Sequence, residues 1–167
     1  MSLAIVPGSF DPMTLGHLDI VECAAARYDE VVVAVMINAE KSYFFDMDTR
    51  VKIAQRTVSS LKNVSVMADS GMLIDLFDRL GADVVCKGVR NDADRVYEER
   101  MAEWNLAHNP RFRTEMLPAN AQYTTLSSTQ VREWLKEGRS LAGLLHPDAI
   151  PLVLQAEIKN GGRCDEA

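Results

Sequence analysis

The chain runs Val6-Pro7-Gly8-Ser9-Phe10-Asp11-Pro12-Met13-Thr14-Leu15-Gly16-His17 between two apolar stretches. The stretch before it, residues 3–6, predicts a buried strand, and residues 18–26 predict a helix. A turn rich in glycine and proline at this point leaves backbone N–H groups free at the positive end of the helix, where a phosphate can bind. The turn has neither the Gly-x-Gly-x-x-Gly pattern of dinucleotide-binding folds nor the Gly-Lys-Ser/Thr of a P-loop. We therefore predict a phosphate site of another kind, with His17 in the first helical turn facing the anion.

Strand-like and helix-like segments alternate along the chain. The predicted strands are residues 3–6, 31–37, 63–67, 83–86 and 113–117. The predicted helices are residues 18–26, 48–61, 72–80, 92–108, 128–137 and 147–159, the third of them closed by Gly81. This alternation predicts an α/β fold, a Rossmann-like doubly wound parallel five-stranded sheet. Residues 1–159 are expected to form a single domain and residues 160–167, which lack apolar content, a mobile C-terminal tail.

Composition restricts the classes of function. The chain has 167 residues, a net charge of -6 and 47% hydrophobic residues, which suit one packed acidic domain. An acidic chain is a poor partner for nucleic acid or an anionic membrane, and we expect neither. No apolar run reaches the roughly 20 residues of a membrane span, and the N-terminus does not resemble a signal peptide. The three cysteines are scattered, so we expect no zinc site and no disulfide, and a cytoplasmic location.

Polar and glycine-containing segments follow each predicted strand. They are residues 7–17, 38–41, 70–73, 87–90 and 117–128. Ligands of doubly wound sheets bind beyond the carboxyl ends of the strands, at the point where the strand order reverses. We therefore expect these segments to meet around one ligand and to bring Lys41, Lys87 and Arg90 to an anion.

Two local patterns have structural as well as functional interpretations. Ser127 and Gln130 have the spacing of a capping box, which would present Ser128 and Thr129 at a helix N-terminus to phosphate oxygens. Asp11, which precedes a proline, is compatible either with turn chemistry or with a direct role in the site. The sequence leaves both interpretations of Asp11 open.

The segment that ends Thr14-Leu15-Gly16-His17 resembles the signature of the nucleotidyltransferase superfamily, and within it the bacterial phosphopantetheine adenylyltransferases. Relatives that act on nicotinate or nicotinamide mononucleotide, and the cytidylyltransferases, usually have histidine where this chain has Thr14. Three further segments fit in the same order: Lys41 before residues 49–51, residues 87–98, and residues 125–133. The resemblance covers residues 3–158. The chain departs from the family at Lys87, where arginine is usual, and at residues 95–96, where Phe-Glu is usual.

The resemblance implies a reversible transfer of AMP from ATP to 4'-phosphopantetheine, which gives dephospho-coenzyme A and pyrophosphate in coenzyme A biosynthesis. It implies His17 and Lys41 as catalytic residues and Mg²⁺ on the phosphates with few protein ligands. It also implies a homohexamer. The substrate-binding residues that it implies are Ser9, Lys41, Leu73 and Lys87. The ATP-binding residues that it implies are Ser9, Phe10, His17, Gly88, Val89, Arg90, Glu98, Tyr123, Thr124, Thr125, Leu126, Ser127, Ser128 and Thr129.

Other functions stay open at this level. The chain could transfer a nucleotide to another acceptor, such as a mononucleotide or a choline-type phosphate, although Thr14 and the Ser-Ser-Thr segment disfavour it. It could also be a non-catalytic nucleotide sensor, which the departures at Lys87 and residues 95–96 would favour. A Rossmann dehydrogenase is disfavoured because the glycine fingerprint is missing.

Overall fold

The computed structural model describes the backbone of residues 1–164 and the side chains of residues 1–157. Five parallel strands form one sheet in the order β3-β2-β1-β4-β5. The strands are β1 (Leu3–Gly8), β2 (Glu30–Met36), β3 (Val64–Asp69), β4 (Val84–Val89) and β5 (Thr114–Pro118). The helices are α1 (Leu15–Arg27), α2 (Met47–Thr57), α3 (Leu73–Leu80), α4 (Asp92–His108), α5 (Ser128–Lys136) and α6 (Ile150–Cys164). The predicted doubly wound α/β fold is confirmed.

Several boundaries differ from the sequence prediction. Helix α2 ends at Thr57, not at residue 61, because the Ser59 hydroxyl donates to the Arg56 carbonyl and a turn follows. Strand β4 continues to Val89 through Lys87 and Gly88. Helix α6 continues to Cys164, past the predicted end at residue 159, and residues 165–167 of the predicted tail lie outside the described residues. A short 3-10 helix, Ala121–Tyr123, was not predicted.

Alternate residues of each strand pack on opposite faces of the sheet. Ala4 and Val6 of β1 pack in one cluster with α1 and α2, while Ile5 packs with Phe77 of α3 on the other face. Both faces of a parallel sheet are therefore buried, as the near-continuous valines of β2 predict. Burying one such side chain contributes about 1.5–3 kcal/mol. A third cluster joins α5 and α6 to Phe45 and Ile53, and so covers the open side of the loop before α2.

The strand order reverses between β1 and β4. The chain passes from β1 to β2 and β3 on one side, and then returns to β4 and β5 on the other. At this reversal β4 lies close to α1: a Cβ atom added to Gly88 would lie 2.9 Å from Cγ1 of Ile20. Glycine at this position therefore allows the close approach that shapes the floor of the cleft. Among the described residues, no helix is both long enough and apolar enough to cross a bilayer.

Candidate active site

A cavity of about 390 Å³ opens where β1 and β4 end. Its wall is formed by the turn after β1, the first turn of α1, the end of β4, the start of α4 and the N-terminus of α5. The predicted site residues that line it are Phe10, His17, Lys87, Gly88, Arg90, Glu98, Tyr123, Leu126, Ser127, Ser128 and Thr129. Of the five segments expected to meet at the point of strand reversal, residues 7–17, 87–90 and 117–128 line this cavity, and residues 38–41 and 70–73 do not.

Six predicted residues lie outside the lining of this cavity: Ser9, Lys41, Leu73, Val89, Thr124 and Thr125. Lys41 is exposed in a turn closed by the hydrogen bond from its N–H to the Asn38 carbonyl, 3.0 Å. Leu73 lines a second cavity of about 70 Å³, which shares Lys87 and Glu98 with the first. Val89 is buried at the end of β4.

His17 is fixed by a capping box at the start of α1. The Thr14 N–H donates to Nδ1 of His17 over 3.0 Å, and the His17 N–H donates to the Thr14 hydroxyl over 3.3 Å. Phe10 packs edge-to-face on the imidazole, with ring centroids 5.1 Å apart. Because Nδ1 accepts a backbone hydrogen bond, the proton of the neutral ring resides on Nε2. His17 thus presents a hydrogen-bond donor to the cavity.

The imidazole of His17 is neutral at pH 7 in the ligand-free protein. Burial against the cavity wall and, as the smaller cause, the positive charge of Arg90 together lower its pKa from 6.5 to about 4. A neutral Nε2–H can hydrogen-bond a phosphate oxygen and stabilise the negative charge that grows on it.

The basic residues at the end of β4 are engaged with acids of α4. Arg90 Nε lies 2.9 Å from Asp94 Oδ2, which lowers the pKa of that carboxyl, and Arg90 Nη1 donates to the Leu126 carbonyl over 3.3 Å. Lys87 Nζ lies 3.5 Å from Glu98 Oε1. Each cation keeps other donor positions for a ligand. Arg90 also ties α4 to the segment before α5, so it shapes the cavity as well as charging it.

The N-terminus of α5 forms the opposite wall. The predicted N-cap is confirmed, since the Ser127 hydroxyl accepts from the Gln130 N–H over 3.1 Å. The Ser128 hydroxyl donates to the Pro12 carbonyl over 2.7 Å, and the Thr129 hydroxyl accepts from Arg132 over 3.2 Å. Ser128 therefore uses its side-chain proton to hold the turn after β1, while the Thr129 proton is available to a ligand.

The side chain of Asp11 holds the loop before α2. Its carboxylate accepts the Phe44 N–H over 2.8 Å and the Phe45 N–H over 2.9 Å. Asp11 is buried, and Arg132 Nη1 lies 3.9 Å from its Oδ2. The loop that carries Lys41 is thereby joined to the turn after β1.

Sequence reasoning gave no role to Arg50 or Arg132, both of which bind the turn after β1. Arg50 Nη1 donates to the Ser9 carbonyl over 2.8 Å, and Arg132 Nη1 donates to the Asp11 carbonyl over 2.8 Å. These contacts join residues 41 and 121 positions apart. One signal was present in the sequence: Arg50 shares the helix face of Ile53 and Ala54, which are apolar and buried.

Comparison with known proteins shows the family of this chain. Residues 5–134 match a protein family described as cytidylyltransferase-like. A phosphopantetheine adenylyltransferase of Limosilactobacillus fermentum is 40% identical over 159 residues, which cover 95% of this chain and 91% of the relative. One from Symbiobacterium thermophilum is 42% identical over 147 residues, 88% of this chain and 91% of the relative. The crystal structure of a putative nicotinate-nucleotide adenylyltransferase from Vibrio parahaemolyticus aligns with a TM-score of 0.75 at 21% identity, covers 93% of each chain, and supports the fold.

The protonation state of His17 can be measured directly. We expect nitrogen NMR of the ligand-free protein at pH 7 to show a neutral ring with the proton on Nε2, and protonation only near pH 4. Because the unfolded chain takes up this proton at higher pH, the fold loses stability as pH falls from 6.5 towards 4. A His17→Gln variant assigns the signal and removes this part of the pH dependence. A ring that titrates near 6.5 would contradict the assignment.

Proposed function

Because this chain belongs to the cytidylyltransferase-like family, and within it to the phosphopantetheine adenylyltransferases, we propose that it transfers AMP from ATP to 4'-phosphopantetheine in coenzyme A biosynthesis. The observation that carries the proposal is the convergence on one cavity of the N-termini of α1 and α5 with the Nε2–H of His17. Two helix N-termini and a neutral donor suit a polyphosphate. The products are dephospho-coenzyme A and pyrophosphate.

The chemistry needs neither a protein nucleophile nor a strong base. A phosphate oxygen of the acceptor attacks the α-phosphorus of ATP in line; one P–O bond forms while the bond to the β-phosphate oxygen breaks, and pyrophosphate leaves. The attacking phosphate is already an anion. Cys86, at the cavity floor, cannot serve as a nucleophile because burial raises the pKa of its thiol to about 12. Catalysis then comes from positioning and from stabilising charge.

His17 and Lys41 are proposed to act on the transferred phosphoryl group. The Nε2–H of His17 donates to an α-phosphate oxygen as its charge grows. Lys41 is exposed on the loop that Asp11 holds, so its flexible side chain can approach the phosphates from the open side of the cavity. As an ammonium, it neutralises charge without a fixed hydrogen-bond geometry.

The two cavities suggest how the substrates are arranged. ATP is proposed to occupy the larger one, between the turn after β1 and α5, with Arg90 beside its phosphates. The acceptor is proposed to extend towards Leu73 and the smaller cavity. Lys87 and Glu98 line both cavities, which supports Lys87 as the ligand of the acceptor phosphate where the two substrates would meet. A lysine supports a phosphate there as a point charge, without the bidentate geometry of arginine.

Mg²⁺ is proposed to enter on the phosphates of ATP. No group of three histidine, cysteine, aspartate or glutamate side chains suited to a metal occurs among the described residues. The acids in the cavity, Asp94 and Glu98, are paired with Arg90 and Lys87. Phosphate oxygens and water would therefore supply most ligands, an arrangement that Mg²⁺ commonly has in nucleotide sites.

Location and assembly belong to the proposal as well. Cys23 and Cys86 are free thiols, which supports a reducing compartment and hence the cytoplasm. Helix α4 buries only Asn105 among its residues, while its large apolar side chains Tyr97 and Trp104 are 62% and 42% exposed. Such a helix face supports contacts between copies of the chain, and we propose the homohexamer that the sequence resemblance implies.

The proposed assembly has a measurable size. We expect sedimentation velocity at micromolar concentration to give a species of about six times 18.6 kDa. A Trp104→Glu variant should shift it to smaller species if α4 takes part, because burying a carboxylate in an apolar contact is costly. Glu103→Gln is the matched control on the same helix. A monomeric wild-type protein would refute the hexamer.

The activity follows from the same site. We expect the purified protein to release pyrophosphate from MgATP only when 4'-phosphopantetheine is present, and to form dephospho-coenzyme A in equal amount. Nicotinate mononucleotide and choline phosphate are tested in the same assay as alternative acceptors. If product forms with one of these and not with phosphopantetheine, the proposed acceptor is wrong. ATP binding without product from any acceptor would instead favour the nucleotide sensor.

A further inference from the structure

The turn after β1 is held from outside through its carbonyl groups. The carbonyls of Ser9, Asp11 and Pro12 accept hydrogen bonds from Arg50 Nη1, Arg132 Nη1 and Ser128 Oγ over 2.8, 2.8 and 2.7 Å. The three donors come from α2 and α5. Carbonyl oxygens that faced a bound phosphate would repel it, since both carry negative charge. The donors of α2 and α5 therefore keep these oxygens occupied away from a ligand.

Backbone N–H groups of the same turn are left available. Those of Ser9, Phe10 and Asp11 have no acceptor in the part of the chain that the structure describes. Phe10 has a φ of 47°, in the left-handed region that a non-glycine residue rarely adopts. Such a conformation persists only where the surroundings impose it. The held carbonyls of Ser9 and Asp11 stand on either side of Phe10 and impose it here.

Arg50 is an unusual group to find beneath a turn. The residue is 1% exposed, and no carboxylate among the described residues forms an ion pair with it. Its other hydrogen bonds go to the Phe45 and Met36 carbonyls over 3.2 and 3.3 Å, and it stacks on the ring of Tyr43 at 4.0 Å. Burying a charge on carbonyl dipoles alone is costly. The Arg50 guanidinium therefore lies one hydrogen bond behind the turn, where its charge adds positive potential.

The hydrogen bonds close a ring. Arg50 Nε donates to the Phe45 carbonyl, the Phe45 N–H donates to the Asp11 carboxylate, and Asp11 is two residues from Ser9, whose carbonyl Arg50 also holds. Arg132 joins this ring to Thr129 at the N-terminus of α5. The turn, the Lys41 loop and the N-terminus of α5 are thus held in one arrangement.

We propose that Arg50 and Arg132 are positioning residues for phosphoryl transfer, which hold the carbonyls of the turn from behind so that its N–H groups meet the nucleotide phosphates. The inference rests on the proposed function for the identity of the ligand. Neither arginine touches the reacting atoms. Their effect acts through the turn, so it is a loss of alignment, and a displacement of about 1 Å can cost about 100-fold in rate.

Arg132 provides the cleaner test because it is half-buried and its loss leaves the core intact. We expect Arg132→Gln to lower kcat about 30-fold and to weaken the binding of inorganic pyrophosphate, measured by calorimetry, about 10-fold. Arg132→Lys should recover much of the loss, since an ammonium still reaches the Asp11 carbonyl. Arg56→Gln is the matched control: it also removes an arginine that donates to a carbonyl, that of Asp148, away from the site.

A merely structural role has a different signature. It would lower the melting temperature of Arg132→Gln while leaving kcat per folded molecule and pyrophosphate affinity within about twofold of Arg56→Gln, and this result would overturn the proposal. Arg50→Lys is the second variant, measured below its own melting temperature, and it should lower kcat as Arg132→Gln does. If the wild type makes no dephospho-coenzyme A, the proposed function fails. The pyrophosphate comparison still decides the positioning role.

Discussion

The hydrogen bond from the Thr14 N–H to Nδ1 of His17 is the contact on which the chemistry of the site depends. It places the ring proton on Nε2 and directs a neutral donor into the cavity, while burial and Arg90 keep the ring from taking up a second proton. The same pair of residues caps α1, so one capping box fixes both the start of the helix and the proposed catalytic group. A threonine three residues before a histidine, in a turn that begins a helix, therefore caps the helix and also fixes the tautomer of the histidine ring.

A neutral donor such as the Nε2–H of His17 suits a cavity that already has several sources of positive potential. In the proposed complex, ligand phosphates would meet Arg90, Lys87 and the positive ends of α1 and α5, so further charge would mainly tighten the ground-state complex. An interaction that strengthens as charge moves onto the transferred group contributes to rate instead. The buried charge of Arg50 lies behind the turn, where it raises the potential without contact with the ligand.

Local sequence patterns predicted the strands and helices, but they did not predict contacts between residues far apart in the chain. Periodicity and cap chemistry act over a few residues, so a short stretch of sequence is enough to predict the features that depend on them. These features are the valines of β2, the caps at Gly81 and Ser127, and the turn that ends at His17. The end of β4 was misplaced because Gly88 and Val89 pair with Leu117 and Pro118 of β5, about 29 residues away. The end of α2 depends on a local hydrogen bond, from the Ser59 hydroxyl to the Arg56 carbonyl, that hydrophobic periodicity does not report. Arg50 and Arg132 reach the turn from 41 and 121 residues away, and no periodicity marks such partners.

In the proposed reaction, His17 stabilises the transferred phosphoryl group more in the transition state than in the ground state. This role is measured by comparing His17→Ala with the wild type, with kcat taken from steady-state kinetics and ATP affinity from calorimetry. We expect kcat to fall about 100-fold or more, while the dissociation constant for ATP changes less than about threefold. A variant with normal kcat and weakened ATP binding would contradict this role and show that His17 only holds the substrate.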